Sequence, residues 1–148
     1  MNKTVEVPLT ITPKNDKIPH KISNQGKNGC MHFDAGETGL VNFKRTGPPG
    51  WAFCYFKICK ISGDSNVCDL NIWERIEFAV TDEDGTAVLI PDNSGTVKLA
   101  PLGSSLDAFI LLNQNSFAQD YYYSVDVCNS ETGGRETADP PIENGGTH

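Results

Sequence analysis

Apolar and polar residues alternate with a period of two along most of this chain. Val5, Val7, Leu9 and Ile11 alternate with Thr4, Glu6, Pro8 and Thr10. That pattern predicts a strand with one buried face. Pro8 has no backbone donor and predicts an edge position. Residues 14–29, with Pro13, Pro19 and Gly26 at or beside them, predict an irregular polar excursion. Short strands are expected over 30–33 and 39–43, before the break at Gly47-Pro48-Pro49-Gly50. Residues 51–59 are apolar on both faces, with Ala52, Cys54, Phe56 and Ile58 on one and Trp51, Phe53 and Tyr55 on the other. Apolarity on both faces suits a central strand.

After a polar turn region over 62–69, Ile72, Ile76, Phe78 and Val80 alternate with Arg75, Glu77 and Ala79. Asp84-Gly85 is a hairpin signal leading into 87–90. Pro91-Asp92-Asn93-Ser94-Gly95 is a second turn, leading into 96–100. Residues 108–112 form an apolar run, and Tyr121, Tyr123, Val125 and Val127 alternate with Tyr122, Ser124 and Asp126. No segment has a convincing helical period. The expected fold is all-β: a single-domain antiparallel β-sandwich of about eight or nine strands, with a closed barrel as the alternative. The sandwich body spans residues 1–128. Residues 129–148 form an irregular polar C-terminal tail whose one apolar anchor is Ile142.

Composition narrows the function classes. The formal net charge of -7 and the absence of a basic run argue against a nucleic-acid partner. No apolar stretch approaches the ~20 residues of a membrane span, so no membrane partner is expected. The N-terminus has no apolar h-region, and five cysteines (30, 54, 59, 68 and 128) are an odd count. Together these predict reduced thiols and a cytoplasmic protein. Cys54 and Cys59 are an odd number of residues apart, so one strand points them to opposite faces. His20, His32 and His148 lack mutual metal-ligand spacing, and the expectation is no metal and no cofactor. Asp82-Glu83-Asp84-Gly85 has only part of a calcium ligand set and reads as a hairpin tip. Trp51 and Trp73 read as core rather than as a stacking platform.

The tail holds one Asp-Pro bond, Asp139-Pro140. The Asp carboxyl can close a five-membered anhydride on its own peptide carbonyl, or act as general base on a water. The leaving proline nitrogen is unusually basic. Oriented intramolecular attack of this kind can be worth about 7–11 kcal/mol. Proline also biases Asp139 towards extended backbone.

The string Ala138-Asp139-Pro140-Pro141-Ile142-Glu143-Asn144-Gly145-Gly146 resembles the C-terminus of the DP-EP family. That family comprises bacterial β-sandwich proteins described as self-cleaving, self-assembling endopeptidases that cut at an Asp-Pro bond. The resemblance implies that Asp139 and Pro140 form the scissile pair, that the substrate is the chain's own C-terminal segment, and that the protein forms a homo-oligomer. The products would be residues 1–139 and the nonapeptide 140–148. No Glu-Pro dipeptide is present, so only the Asp-Pro half of the family label maps onto this chain.

Cleavage also needs a proton for the Pro140 nitrogen. A second carboxyl is the natural donor, because paired carboxylates push their titrations apart. Glu136 and Asp126 are the leading candidates, followed by Glu131 and Glu143. If the tail packs back over Tyr122, Ser124 and Asp126, these form a polar cradle; otherwise they are the solvated face of an edge strand. A lysine could capture the anhydride as an isopeptide, but none follows Lys98, whose phase opposite Val97 and Leu99 points it to solvent.

Overall fold

The computed structural model describes residues 2–13, 20–24, 31–46, 50–63, 65–68, 73, 77–99, 107–129, 131, 133–138 and 141–146. Every named element among them is a strand: β1 (Asn2–Pro13), β2 (His20–Asn24), β3 (Met31–Phe33), β4 (Thr38–Thr46), β5 (Trp51–Ser62), β6 (Ser65–Val67), β7 (Phe78–Asp82), β8 (Val88–Leu89), β9 (Thr96–Lys98), β10 (Ala108–Asn113), β11 (Ala118–Asn129), β12 (Arg135–Ala138) and β13 (Pro141–Gly145).

The strands form two sheets. One runs β2-β1-β4-β10-β7-β8; the other runs β3-β13-β11-β5-β6, with β12 also on β11 and β9 also on β5. Their inner faces share one core. Val7, Leu9, Val41, Phe43, Val80, Phe109 and Leu111 meet Phe33, Phe53, Phe56, Ile58, Tyr123, Val125, Val127 and Ile142. At its centre Phe43 stacks on Phe109 at 4.6 Å and meets Tyr123 edge-on at 5.2 Å. Such aromatic pairs add about 0.5–1.5 kcal/mol beyond the area they bury. Trp51 and Trp73 are buried, as expected, and Trp73 Nε1 donates to Gly95 O at 2.8 Å.

The sandwich-like all-β reading holds at that level, with four corrections. The sheets are mixed: β1 pairs with β4, and β13 with β3, in parallel. Alternation reports which face is buried and carries no strand direction, and these partners are far enough apart in sequence for the crossover a parallel pair needs. There are thirteen strands among the described residues, not eight or nine. The tail is not irregular, because it supplies β12 and β13. Finally, β5 does not keep one phase: its register to β11 shifts between Asp126↔Tyr55 and Val127↔Phe53. The extra residue is Cys54. This bulge lets both Phe53 and Phe56 reach the core, three residues apart. Pro8 lies where β1 pairs only with β4, since pairing with β2 begins at Leu9.

The cysteines also differ from expectation. Cys54 is bonded to Cys128 and Cys59 to Cys68. An odd count and an N-terminus without an apolar h-region predict reduced thiols, but sheet pairing brings these four cysteines together in two pairs. Lys60↔Val67 is a register pair of the β5–β6 hairpin, so Cys59 and Cys68 flank it on facing chains. Cys30 lies outside the described residues.

Candidate functional site

β11 is the spine of the second sheet. Its residues Tyr121, Tyr123, Val125 and Val127 enter the core, so Tyr122, Ser124 and Asp126 face the opposite way. β11 is an inner strand, bonded to β5 on one side and to β12 and β13 on the other. The outward residues are therefore not the solvated face of an edge. Ser124 and Asp126 keep only 8% and 5% of their surface.

They sit in a polar cleft of about 360 Å³, with Tyr55 and Lys57 of β5 and Thr96 of β9 on one side and Arg135 and Thr137 of β12 on the other. Asp126 is the cleft's anchor. Its Oδ2 accepts from Arg135 Nε at 2.8 Å and from the same guanidinium's Nη2. Its Oδ1 accepts from the Thr137 hydroxyl at 2.6 Å. The guanidinium also lies over the Tyr55 ring, 4.7 Å from its centroid. A buried carboxylate is tolerable only when paired in this way.

The tail reaches the cleft through a tight turn. Asn129 N donates to Gly134 O, and Gly133 N donates back to Asn129 O, both at 2.9 Å. Gly133 adopts φ 74, a backbone that glycine enters without a Cβ penalty. β12 and β13 then hold one register on β11: Arg135 faces Cys128, Ala138 faces Val125, Pro141 faces Tyr122 and Gly145 faces Ala118. The β11 residues between the two flanking pairs are Tyr123 and Ser124.

The expected site residues separate on this frame. Asp139 and Pro140 lie outside the described residues. Glu136 pairs with Val127 and shares the Ala138 side of β12, whereas Asp126 shares its face with Thr137. The sheet therefore separates Glu136 from Asp126. Glu131 is exposed, and its backbone N donates to Asn129 Oδ1 at 2.9 Å. Glu143 is exposed beside His32, with Oε1 3.4 Å from Nδ1. Lys98 is exposed as expected and faces Tyr55 across β5 and β9. Asp82 spends its carboxylate on closing the hairpin, accepting from Thr86 N at 2.9 Å and Ala87 N at 3.3 Å.

Sequence reasoning missed Arg135, Thr137 and Tyr55. A signal for the first two exists in Gly133-Gly134, a hairpin dipeptide directly before a short alternating run. Tyr55 was legible only as one face of an apolar strand. No helix among the described residues is long and apolar enough to cross a membrane. No family model matches the chain, and no curated protein matches it.

Proposed function

We propose that this chain is a single-turnover endopeptidase that cuts its own Asp139–Pro140 bond. The Asp139 carboxyl oxygen adds to its own peptide carbonyl carbon. The bond to Pro140 breaks, and the proline nitrogen takes up the proton that the carboxyl group gives up. Water then opens the five-membered anhydride, leaving two carboxyl groups on residue 139. The chemistry of the dipeptide and the resemblance of residues 138–146 to the DP-EP family support this reading, and self-assembly into a homo-oligomer rests on that resemblance alone.

One observation carries most weight: β12 and β13 hold the same register on β11 on either side of the dipeptide. Fixing both flanks removes much of the chain entropy that opposes an oriented intramolecular attack. Asp126 enters as a positioning residue, since both its oxygens already accept hydrogen bonds from β12. The two disulfides favour an oxidising compartment over the cytoplasm expected from the sequence.

The test is the denaturing intact mass of purified protein, followed over days at several pH values. The parent yields residues 1–139 and the nonapeptide 140–148, whereas Asp139→Ala stays whole. A parent that stays full length at every pH refutes the proposal. The alternative reading of the sequence is a non-enzymatic β-sandwich assembly or ligand-binding module with a flexible C-terminal arm; the polar cleft then favours its ligand-binding form, with a small polar ligand against Tyr55, Ser124 and Asp126.

A further inference from the structure

We infer that the gap between β3 and β11 is a strand-binding slot for an extended peptide of pattern Ile-x-Asn-Gly-Gly, and that residues 141–146 occupy it whether or not they remain joined to the chain. The proposed self-cleavage supplies only the place of the natural cut; the slot stands without it.

β13 is an inner strand. It pairs antiparallel with β11 from Ala118↔Gly145 to Tyr122↔Pro141, and in parallel with β3 from Met31↔Ile142 to Phe33↔Asn144. Main-chain bonds to two neighbours give affinity for any extended peptide, and side-chain pockets give the choice among them. Four side-chain requirements are built in. Ile142 has no exposed surface and packs in the shared core. Asn144 is buried and exchanges two amide hydrogen bonds with Asn113: Asn113 Nδ2 donates to Asn144 Oδ1 at 2.8 Å, and Asn144 Nδ2 donates to Asn113 Oδ1 at 3.0 Å. A Cβ at Gly145 would stand 2.8 Å from Ala35 N and 3.0 Å from Phe33 O, both backbone atoms. Gly146 has φ +92, and a Cβ there would stand 2.9 Å from Ala118 N.

The end of the segment is held as firmly as its middle. Gly146 N donates to Asn115 Oδ1, and Gly146 O accepts from Gly36 N, both at 2.9 Å. Asn115 is itself fixed, with Nδ2 donating to Asp34 O and Glu37 O at 2.8 Å each. Much of the string that resembles the DP-EP C-terminus is thus accounted for by docking: Ile142, Asn144, Gly145 and Gly146 each answer a contact. A leaving peptide so held is a bound ligand of the remaining body.

The experiment replaces Asp139-Pro140 in the full chain with a site for a sequence-specific protease and cuts it while folded, so the outcome does not depend on self-cleavage. Native mass and size exclusion then follow the C-terminal peptide. The expected result is co-migration of peptide and body in native buffer and separation in denaturant. Peptides carrying Asn144→Ala or Gly145→Val, cut in the same way, should leave at least about tenfold faster. Amide exchange on the cut chain with residues 141–146 unsubstituted gives a check that changes nothing in the slot: residues 142–146 should keep the protection they have before the cut. Immediate release of the parent peptide, loss of that protection, or equal retention of the substituted peptides would each overturn the slot.

Discussion

Replacing Asp126 separates a clamp from a proton donor. Its side chain is 7% exposed, and that of its partner Arg135 is 57% exposed. A hydrogen bond to a charged group contributes about 1.5–3 kcal/mol when buried, but a half-exposed guanidinium is screened and brings that pair well down the range. Asp126→Ala removes the bonds from Arg135 and from the Thr137 hydroxyl and should cost about 2 kcal/mol. Asp126→Asn keeps the shape. Its amide oxygen can accept from Arg135 while its amide nitrogen donates to the Thr137 hydroxyl oxygen. Only the charge is lost, at about 1 kcal/mol. Urea unfolding supplies the stabilities, amide exchange at residues 135–138 reports the grip on β12, and intact mass gives the rate of any cut. The clamp predicts that Ala is worse than Asn in both stability and exchange, and that the cutting rate follows that order. A general acid contributes about 10²–10⁴ in rate. If Asp126→Asn stops the cut while stability and exchange stay unchanged, the clamp argument is wrong and Asp126 delivers the proton.

Mass shifts on alkylation without reductant should leave four cysteines unmodified, and Cys54→Ser with Cys128→Ser should cost more stability than Cys59→Ser with Cys68→Ser. The sequence separations of 74 and 9 give loop-closure estimates of roughly 4 and roughly 3 kcal/mol. Two turn carboxyls should titrate below an Asp in an unfolded peptide when followed by NMR. For Asp82, burial pushes the pKa up, but hydrogen bonds from Thr86 and Ala87 outweigh it; for Asp92, the Ser94 hydroxyl and then Thr96 N pull it down. A lowered folded-state value means that both turns gain stability above the unfolded-state value and lose it as pH falls through the folded-state one. Cut protein should also melt at a temperature that rises with its concentration, because refolding then requires two molecules to meet.

The strands were legible where one face is apolar. Val5, Val7 and Leu9 marked β1, and Tyr121, Tyr123, Val125 and Val127 marked β11. Direction was not, because an alternating strand reads alike against a parallel or an antiparallel neighbour. The β5 bulge was hidden for a related reason: residues 51–59 are apolar throughout, so the sequence offers no phase against which a slip at Cys54 would show. The tail misled because, apart from Ile142, its buried residues are not apolar. Asn144 is buried through amide bonds to Asn113, and Gly146 is held by Asn115 of the body, yet asparagine followed by two glycines ordinarily marks a loop. Asp126 was picked out by its position on one strand face, yet its role depends on Arg135 and Thr137, which only the Gly133-Gly134 turn brings back to it.

Retention of the last strand changes what could drive a cut forward. A product that diffuses away is pulled off by dilution. A peptide fixed by Ile142, Asn144 and Gly146 leaves its proline nitrogen beside the acyl group it came from, so re-formation of the amide competes at high effective concentration. Opening of the anhydride by water becomes the committing step, and it leaves two carboxylates on residue 139 beside the prolyl ammonium released earlier, charges that all need solvent. Of the two β11 residues between the flanking register pairs, Tyr123 has no exposed surface, whereas Ser124 lines the polar cleft. In the proposed reaction the attacking water comes from the Ser124 side. The cleft anchored by Asp126 grips β12 through Arg135 and Thr137, and its role in the proposed reaction would be to admit the water that makes the cut permanent.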